Sequence, residues 1–214
     1  MLSRGHGIGN WEFTGLNTIV EPTETGIEKG LHFLKEHSFR VTNSIDLRKQ
    51  KWQPKQGLYA HNMISVGKLS VMNESHTTGE LKSLTEFVHL AAPNKGIKKK
   101  IKFKSKWNSR DSLEWSQMIR YGGLDDLRGY RENQFFGNWV LLPSIEFFNY
   151  VTDETTISIF SEGAIQKKYH PYPWNYGINL EQKYLNNHIN ISFAWGREDS
   201  FSQGKVHIKY VNIL

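Results

Sequence analysis

The stretch Ile97-Lys98-Lys99-Lys100-Ile101-Lys102-Phe103-Lys104-Ser105-Lys106-Trp107 carries two patterns interleaved. Lys98, Lys100, Lys102, Lys104 and Lys106 occupy one set of alternate positions, and Ile97, Ile101, Phe103 and Trp107 occupy the other. Successive side chains of a β-strand point to opposite faces, so this is a strand with a basic face and a mainly apolar one. The same alternation recurs elsewhere. In 39–48, Phe39, Val41, Ile45 and Leu47 oppose Arg40, Thr42, Ser44, Asp46 and Arg48. Ile189, Ile191, Phe193 and Trp195 oppose Asn190, Ser192, Ala194 and Gly196, and Val206, Ile208 and Tyr210 oppose Lys205, His207 and Lys209.

Working outward, strand-like segments fall near 8–20, 26–34, 39–50, 57–72, 79–90, 96–107, 112–121, 138–150, 155–166, 174–185, 188–196 and 204–212, twelve in all. Turn-rich pieces separate them, among them Gln53-Pro54-Lys55-Gln56-Gly57 and Ala92-Pro93-Asn94-Lys95-Gly96. Helical periodicity is nearly absent, with 27–36 the only stretch where a short helix competes with a strand. The chain has 214 residues, the size of one domain or at most two. Aromatics make up 13% of it, yet the mean hydropathy is −0.56, so its apolar residues are dispersed in alternation rather than gathered in runs. The net charge of +6 brings nucleic acid or an anionic surface into consideration, but no nucleic-acid-binding motif accompanies it. Having no cysteine, the chain has no disulfide framework and no thiolate metal site. No stretch reaches the roughly 18 apolar residues of a membrane helix, and Met1-Leu2-Ser3-Arg4-Gly5-His6 lacks the apolar core of a secretion signal. The expectation is either a cytoplasmic protein or the C-terminal part of a longer one.

Two architectures produce strands with one apolar and one polar face. A soluble sandwich or lipocalin-type barrel buries the apolar face, whereas an outer-membrane barrel turns it to lipid and keeps the polar face around a wet lumen. Segments of ten or more residues exceed the usual five or six of soluble strands and match the ~9–11 that cross a bilayer at a tilt. Trp107, Trp139, Tyr184, Trp195 and Tyr210 near strand ends suit interfacial girdles. The pattern therefore favours the membrane barrel. On that reading the lysine stripe 98–106 lines a lumen; a solvated edge strand and a nucleic-acid face are the alternatives.

One loop stands out against this rhythm. Gly122-Gly123-Leu124-Asp125-Asp126-Leu127-Arg128-Gly129-Tyr130 has turn-forming residues, yet places an arginine between a leucine and a glycine-tyrosine pair. Leu127-Arg128-Gly129-Tyr130, after Tyr121-Gly122-Gly123, resembles the loop signature of BamA/TamA-type outer-membrane barrels, the bacterial surface antigen family, which two-partner secretion transporters share. Five candidate strands follow the loop, as in that family. Ser144-Ile145-Glu146-Phe147 resembles the family's glutamate-aromatic motif, and Tyr176-Gly177-Ile178-Asn179-Leu180 its third-from-last strand. The resemblance covers about 111–212.

The resemblance implies an all-β, antiparallel transmembrane β-barrel, with about twelve strands visible of about sixteen. It implies a single barrel domain over 1–214, incomplete at its N-terminal side, with the loop 122–137 entering the lumen. There Arg128 would pair with acidic groups of the wall, Glu146 first, since a guanidinium never deprotonates and needs carboxylate partners in a confined space. The family's second acid falls on Ser161, two residues before Gly163, where no ion pair is available. Ile157, Ile159 and Ile165 share the lipid face, which turns Phe160, Glu162 and Gln166 inward and nominates Glu162 instead. Pro143 is expected to mark a bulge that absorbs the one-residue difference. Gly204, Val206, Ile208 and Tyr210 would form the C-terminal assembly strand, though the chain ends in Leu214 rather than an aromatic residue.

The function so implied is insertion or translocation of polypeptides, or lipids, at the outer membrane of a Gram-negative bacterium. The implied partners are outer-membrane lipid and an unfolded or secreted polypeptide client, with no nucleic acid. No catalytic set is legible: Gly-x-Ser-x-Gly is absent, the nine histidines are scattered without ligand spacing, and neither cofactor nor metal is expected. Asp125-Asp126 reads as a solvated loop pair, and His170-Pro171-Tyr172-Pro173-Trp174 as a rigid extracellular loop. The competing readings are a two-partner secretion transporter, a plain outer-membrane pore and a soluble β-sandwich carbohydrate-binding domain.

Overall fold

The computed structural model describes residues 9–28, 31–71, 74–109, 113–185 and 187–212. The N-terminal residues read for a signal, residues 29–30 within the expected strand 26–34, and Leu214 lie outside these. The main body is one antiparallel sheet of ten strands: β1 (Asn10–Val20), β2 (Leu34–Asp46), β3 (Gln56–Val71), β4 (Glu74–Ala92), β5 (Lys95–Asn108), β8 (Trp139–Tyr150), β9 (Thr155–Gly163), β10 (Trp174–Tyr184), β11 (Asn187–Gly196) and β12 (Lys205–Asn212). They are ordered in space as in the chain. Between β5 and β8, the short strands β6 (Ile119–Tyr121) and β7 (Phe135–Gly137) form a ribbon of their own. Among the described residues one α-helix, α1 (Glu24–Glu28), precedes β2.

The twelve expected strands are thus ten in the main sheet. The described residues of 26–34 form no strand before Leu34: α1 occupies the start, and β2 begins at Leu34 and takes in the front of the expected strand 39–50. The segment 112–121 contributes only the three residues of β6, because Gly122 and Gly123, at φ 120° and 84°, turn the chain straight out of it. Pro143 marks no bulge. The β8–β9 ladder runs from Tyr150↔Thr156 to Ser144↔Glu162, and the Leu141↔Ile165 bridge beyond Pro143 keeps the same register. Proline lacks the N–H that a ladder rung needs, so it interrupts the pairing without shifting it. The main sheet's register shift lies instead between Leu90 and Ala92. No ladder joins β1 to β12, so among the described residues the sheet is curled but not closed into a barrel.

Its two faces are inverted relative to a soluble protein. One row of cross-strand partners, Ile97, Phe147, Ile159, Ile178, Phe193 and Val206, crosses six strands and lies on the outer face, with Ile159 58% exposed. A second outer row is Ile157, Leu180, Ile191 and Ile208. The inner face instead buries Glu146, Ser158, Glu162, Asn175, Asn179 and Ser192. Soluble monomers rarely expose contiguous apolar surface beyond about a few hundred Å² and rarely bury so many polar groups.

The connections are also unequal. At one end lie the brief turns 93–94, 151–154 and 185–186; at the other lie the loops 21–33, 109–138, 164–173 and 197–204, together with the two-residue β3–β4 connection. The β2–β3 loop 47–55 is a longer connection at the brief-turn end. Trp107, Trp139, Trp174, Tyr176 and Trp195 cluster on the outer face near the long-loop end, with Tyr176 stacked on Trp195 at 5.8 Å. Tyr184 and Tyr210 lie toward the opposite end.

Candidate functional site

The loop between β5 and β8 folds back against the inner face. Its apolar side forms the largest buried cluster, in which Ile119, Tyr121 and fully buried Leu127 meet Val140, Leu142 and Ala164 of the wall. Tyr121 OH donates to Gln166 Oε1 at 3.1 Å, and Phe135 packs edge-on to Tyr130 and Tyr169. Leu127 and Gly123 exchange backbone hydrogen bonds of 2.9 and 3.1 Å, which close the turn and aim Arg128 at the wall.

Glu162 on β9 is the principal partner of Arg128. Its Oε1 accepts from Arg128 Nε at 3.0 Å and lies 2.8 Å from Nη2, while its Oε2 accepts the Arg128 backbone N–H at 2.9 Å and Asn175 Nδ2 at 3.1 Å. Every strong acceptor direction of this buried carboxylate is therefore used, which is what a buried ion pair requires to offset its desolvation. Glu146, expected first, lies 3.9 Å from Nη2 and belongs more closely to other groups: Ser158 Oγ donates to it at 2.5 Å and Lys98 Nζ lies at 3.3 Å. The guanidinium also lies over Phe160, its Cζ 3.3 Å from the ring centroid, a contact to which lysine would bring no planar group. Ser161, where the family pattern has its acid, donates instead to the Asn175 carbonyl at 3.0 Å. The face pattern and the contact geometry agree on Glu162, the residue next to it.

Gly129 follows at the point of closest approach. A Cβ there would lie 2.6 Å from Asn175 Cβ and 2.7 Å from the Gly196 backbone nitrogen, so only glycine lets the loop touch β10 and β11. Tyr130 then reaches the rim, its hydroxyl donating to the Trp174 carbonyl at 3.1 Å and accepting from Arg197 N–H at 3.3 Å.

The lysine stripe meets the same loop. Lys104 Nζ lies 2.6 Å from Asp126, and Lys102 lies 3.4 Å from Asp126 and donates to the Asp125 carbonyl. Lys98 reaches Glu146, whereas Lys100, half-buried between them, and Lys106 have no direct carboxylate partner among the described contacts. Asp125 is solvated, its side chain 75% exposed, and it is also paired: Lys209 of β12 lies 3.0 Å from it. The Asp125-Asp126 pair thus links β5 to β12 across the trough, a role hidden in the sequence because both partners lie far away in the chain. His207, also on β12, makes a 2.5 Å hydrogen bond to the Arg128 carbonyl. Val206, Ile208 and Tyr210 turn to the outer face, and a Cβ on Gly204 would meet the Trp195 indole at 2.5 Å.

Among the described residues no group of three or more His, Asp or Glu side chains converges as a metal cluster. The arrangement presents donors to two buried carboxylates, Arg128 and Asn175 to Glu162, and Ser158 and Lys98 to Glu146. What it does chemically is hold a loop against a wall. No family model matches this chain, and no curated protein matches it as a relative.

Proposed function

We propose that this chain belongs to the wall of a BamA/TamA-type outer-membrane β-barrel that assists insertion or translocation of polypeptides at that membrane. The observation that carries this reading is the Arg128 loop, held by Glu162 and Glu146 on the polar inner face of a sheet whose outer face is apolar. A soluble sandwich would need its apolar face covered by a second sheet. Among the described residues the only other ribbon, β6–β7, lies in the loop that packs on the polar side. Apart from the two-residue β3–β4 connection and the β2–β3 loop, long connections lie at one end and brief turns at the other, as the extracellular loops and periplasmic turns of such barrels do. Lysines and acids then line the lumen, where water and ion pairing are both accessible. The ten strands leave two free edges, which in this reading meet further strands or each other.

The test is whether the full-length protein requires detergent for extraction and runs as a compact, heat-modifiable species on electrophoresis. A protein that stays monomeric without detergent would overturn the proposal. For the activity itself, Arg128→Ala should lower the rate at which reconstituted vesicles assemble an unfolded client barrel protein. Unchanged assembly would show that the activity does not depend on the Arg128 pairing, and no client assembly by the wild type would leave a plain pore as the better account.

A further inference from the structure

The β2–β3 loop 47–55 departs from the rule of its end of the molecule, and it does so by crossing the inner face. Strands β4, β5, β8, β9 and β10 separate β3 from β11 in the sheet, yet the Trp52 ring meets His188 of β11 edge-on at 5.1 Å. Lys183 Nζ of β10 lies 5.8 Å from the same ring. The tip is tied to the β8–β9 turn, where Trp52 Nε1 donates to the Asp153 carbonyl at 2.8 Å and Gln53 Nε2 to the Thr152 carbonyl at 2.7 Å. On the way, Tyr150 OH donates to the Pro54 carbonyl at 2.7 Å. These contacts join residues about a hundred positions apart in the chain.

The base of the loop is built differently from its tip. Arg48 pairs with Asp46 and Glu86, each at 2.9 Å, and Leu47 N–H donates to the Leu58 carbonyl at 2.8 Å. At Gly57, φ is 142° and a Cβ would lie 2.7 Å from Arg48 Cα, so the chain turns there in a way only glycine permits. Gln53 at the tip holds φ 48°, a left-handed conformation costly for a side-chain-bearing residue. Such a conformation persists only where surrounding contacts over-determine it, and here the Thr152 and Asp153 carbonyls do so. Under the loop lies a cavity of about 210 Å³ lined by Lys98, Glu86, Glu181 and His188, so the loop spans space rather than filling it.

We infer that this loop is a strap across the brief-turn mouth of the barrel, so that the lumen is shut at both ends at rest and conducts only when the strap swings out. The inference rests on the barrel reading above. A charge-anchored base, a glycine turn beside it, and a tip held by neutral hydrogen bonds, one ring contact and the more distant Lys183 ammonium make a hinge with a releasable end. Polar solute then has no standing route through the lumen.

The test measures conductance of the full-length protein in planar bilayers of phosphatidylethanolamine and phosphatidylglycerol. Wild type should be closed most of the time, and Trp52→Ala with Gln53→Ala should raise open time at least tenfold. Because the chain has no native cysteine, Gln53→Cys with Thr152→Cys gives a clean second readout: closed when oxidised, opening on reduction after the disulfide forms. Conductance that changes in neither the double alanine variant nor the cysteine pair overturns the strap. If Arg128→Ala alone then conducts, the barrel reading survives that loss. If no variant inserts into the bilayer at all, the barrel reading fails and the strap with it.

Discussion

Two segments cross the inner face, and they are held by opposite chemistry. The loop 122–137 is anchored by buried charge, with Arg128 on Glu162 and Asp126 on Lys102 and Lys104. The β2–β3 loop 47–55 is anchored at its tip by neutral hydrogen bonds to backbone carbonyls. A buried charge that loses its partner leaves the other uncompensated, whereas a lost neutral hydrogen bond at a wet mouth is replaced by water. The first crossing is therefore all-or-none and the second is reversible. On the strap proposal, the first crossing is the fixed one and the second the movable one.

Breaking the first crossing should give the largest effect. Arg128→Ala leaves Glu162 buried and unpaired, and should cost about 3–5 kcal/mol in thermal unfolding of the detergent-solubilised protein. Arg128→Lys should recover less than half of that, since an ammonium offers neither the planar fork nor the stacking on Phe160. A loss under about 1 kcal/mol for the alanine variant would place the pair in the weak class of exposed salt bridges.

The wall that both crossings lean on can be tested on the other face of the same strand. Ile159→Lys puts a charge in the middle of the outer apolar row, three residues from Glu162. Folding into lipid vesicles should become less favourable by about 2–4 kcal/mol. In a water-soluble protein, a lysine at so exposed a position would be close to neutral, so the size of the change separates the two environments.

Close approach is the next term. Gly129→Ala introduces a methyl into backbone and side-chain contacts under 3 Å, and should destabilise by about 1–3 kcal/mol, lifting the loop while leaving the strands paired. Protease cleavage within 122–137 would detect the lifted loop before any change in sheet content appears. Gln53→Ala should cost only about 1 kcal/mol, and the contrast with Arg128→Ala is the direct measure of the difference between the crossings.

The smallest effect is a pH dependence at the long-loop end. Burial pushes the Asp199 carboxyl up, but Lys205 Nζ at 2.6 Å and the Gly196 N–H at 2.8 Å outweigh it and hold Asp199 below the usual aspartate range. Its ordering of loop 197–204 should therefore be constant from neutral pH down to about 4, and be lost as pH falls further through the depressed value. Hydrogen exchange of that loop at decreasing pH, with Asp199→Asn as the variant lacking the step, checks it.

Much of the wall was legible before any coordinates. The faces of β5, β9, β11 and β12 follow from alternation, and the three isoleucines 157, 159 and 165 sufficed to turn Glu162 inward. The replacement of the start of the expected strand 26–34 by α1 was not legible, because helix and strand preferences are nearly balanced over those few positions. The order of the two glutamates was hidden as well. Glu146 and Glu162 both point inward, and only the height at which Leu127 and Gly129 dock decides which carboxylate meets the guanidinium. The Lys209–Asp125 pair and the Trp52–His188 contact left no local trace at all.

The sequence by itself determined which side of each of these strands is apolar and that an arginine-glycine-tyrosine loop interrupts them. Those properties are written in a period of two residues, within reach of neighbouring side chains. Tertiary structure alone decided that the sheet stays unclosed among the described strands, that Asp125 and Asp126 tie β5 to β12, and that residues 47–55 reach over to β11. Those contacts depend on the curl accumulated over many strands. Each strand pair contributes only a small rotation, and no single segment of the chain encodes their sum.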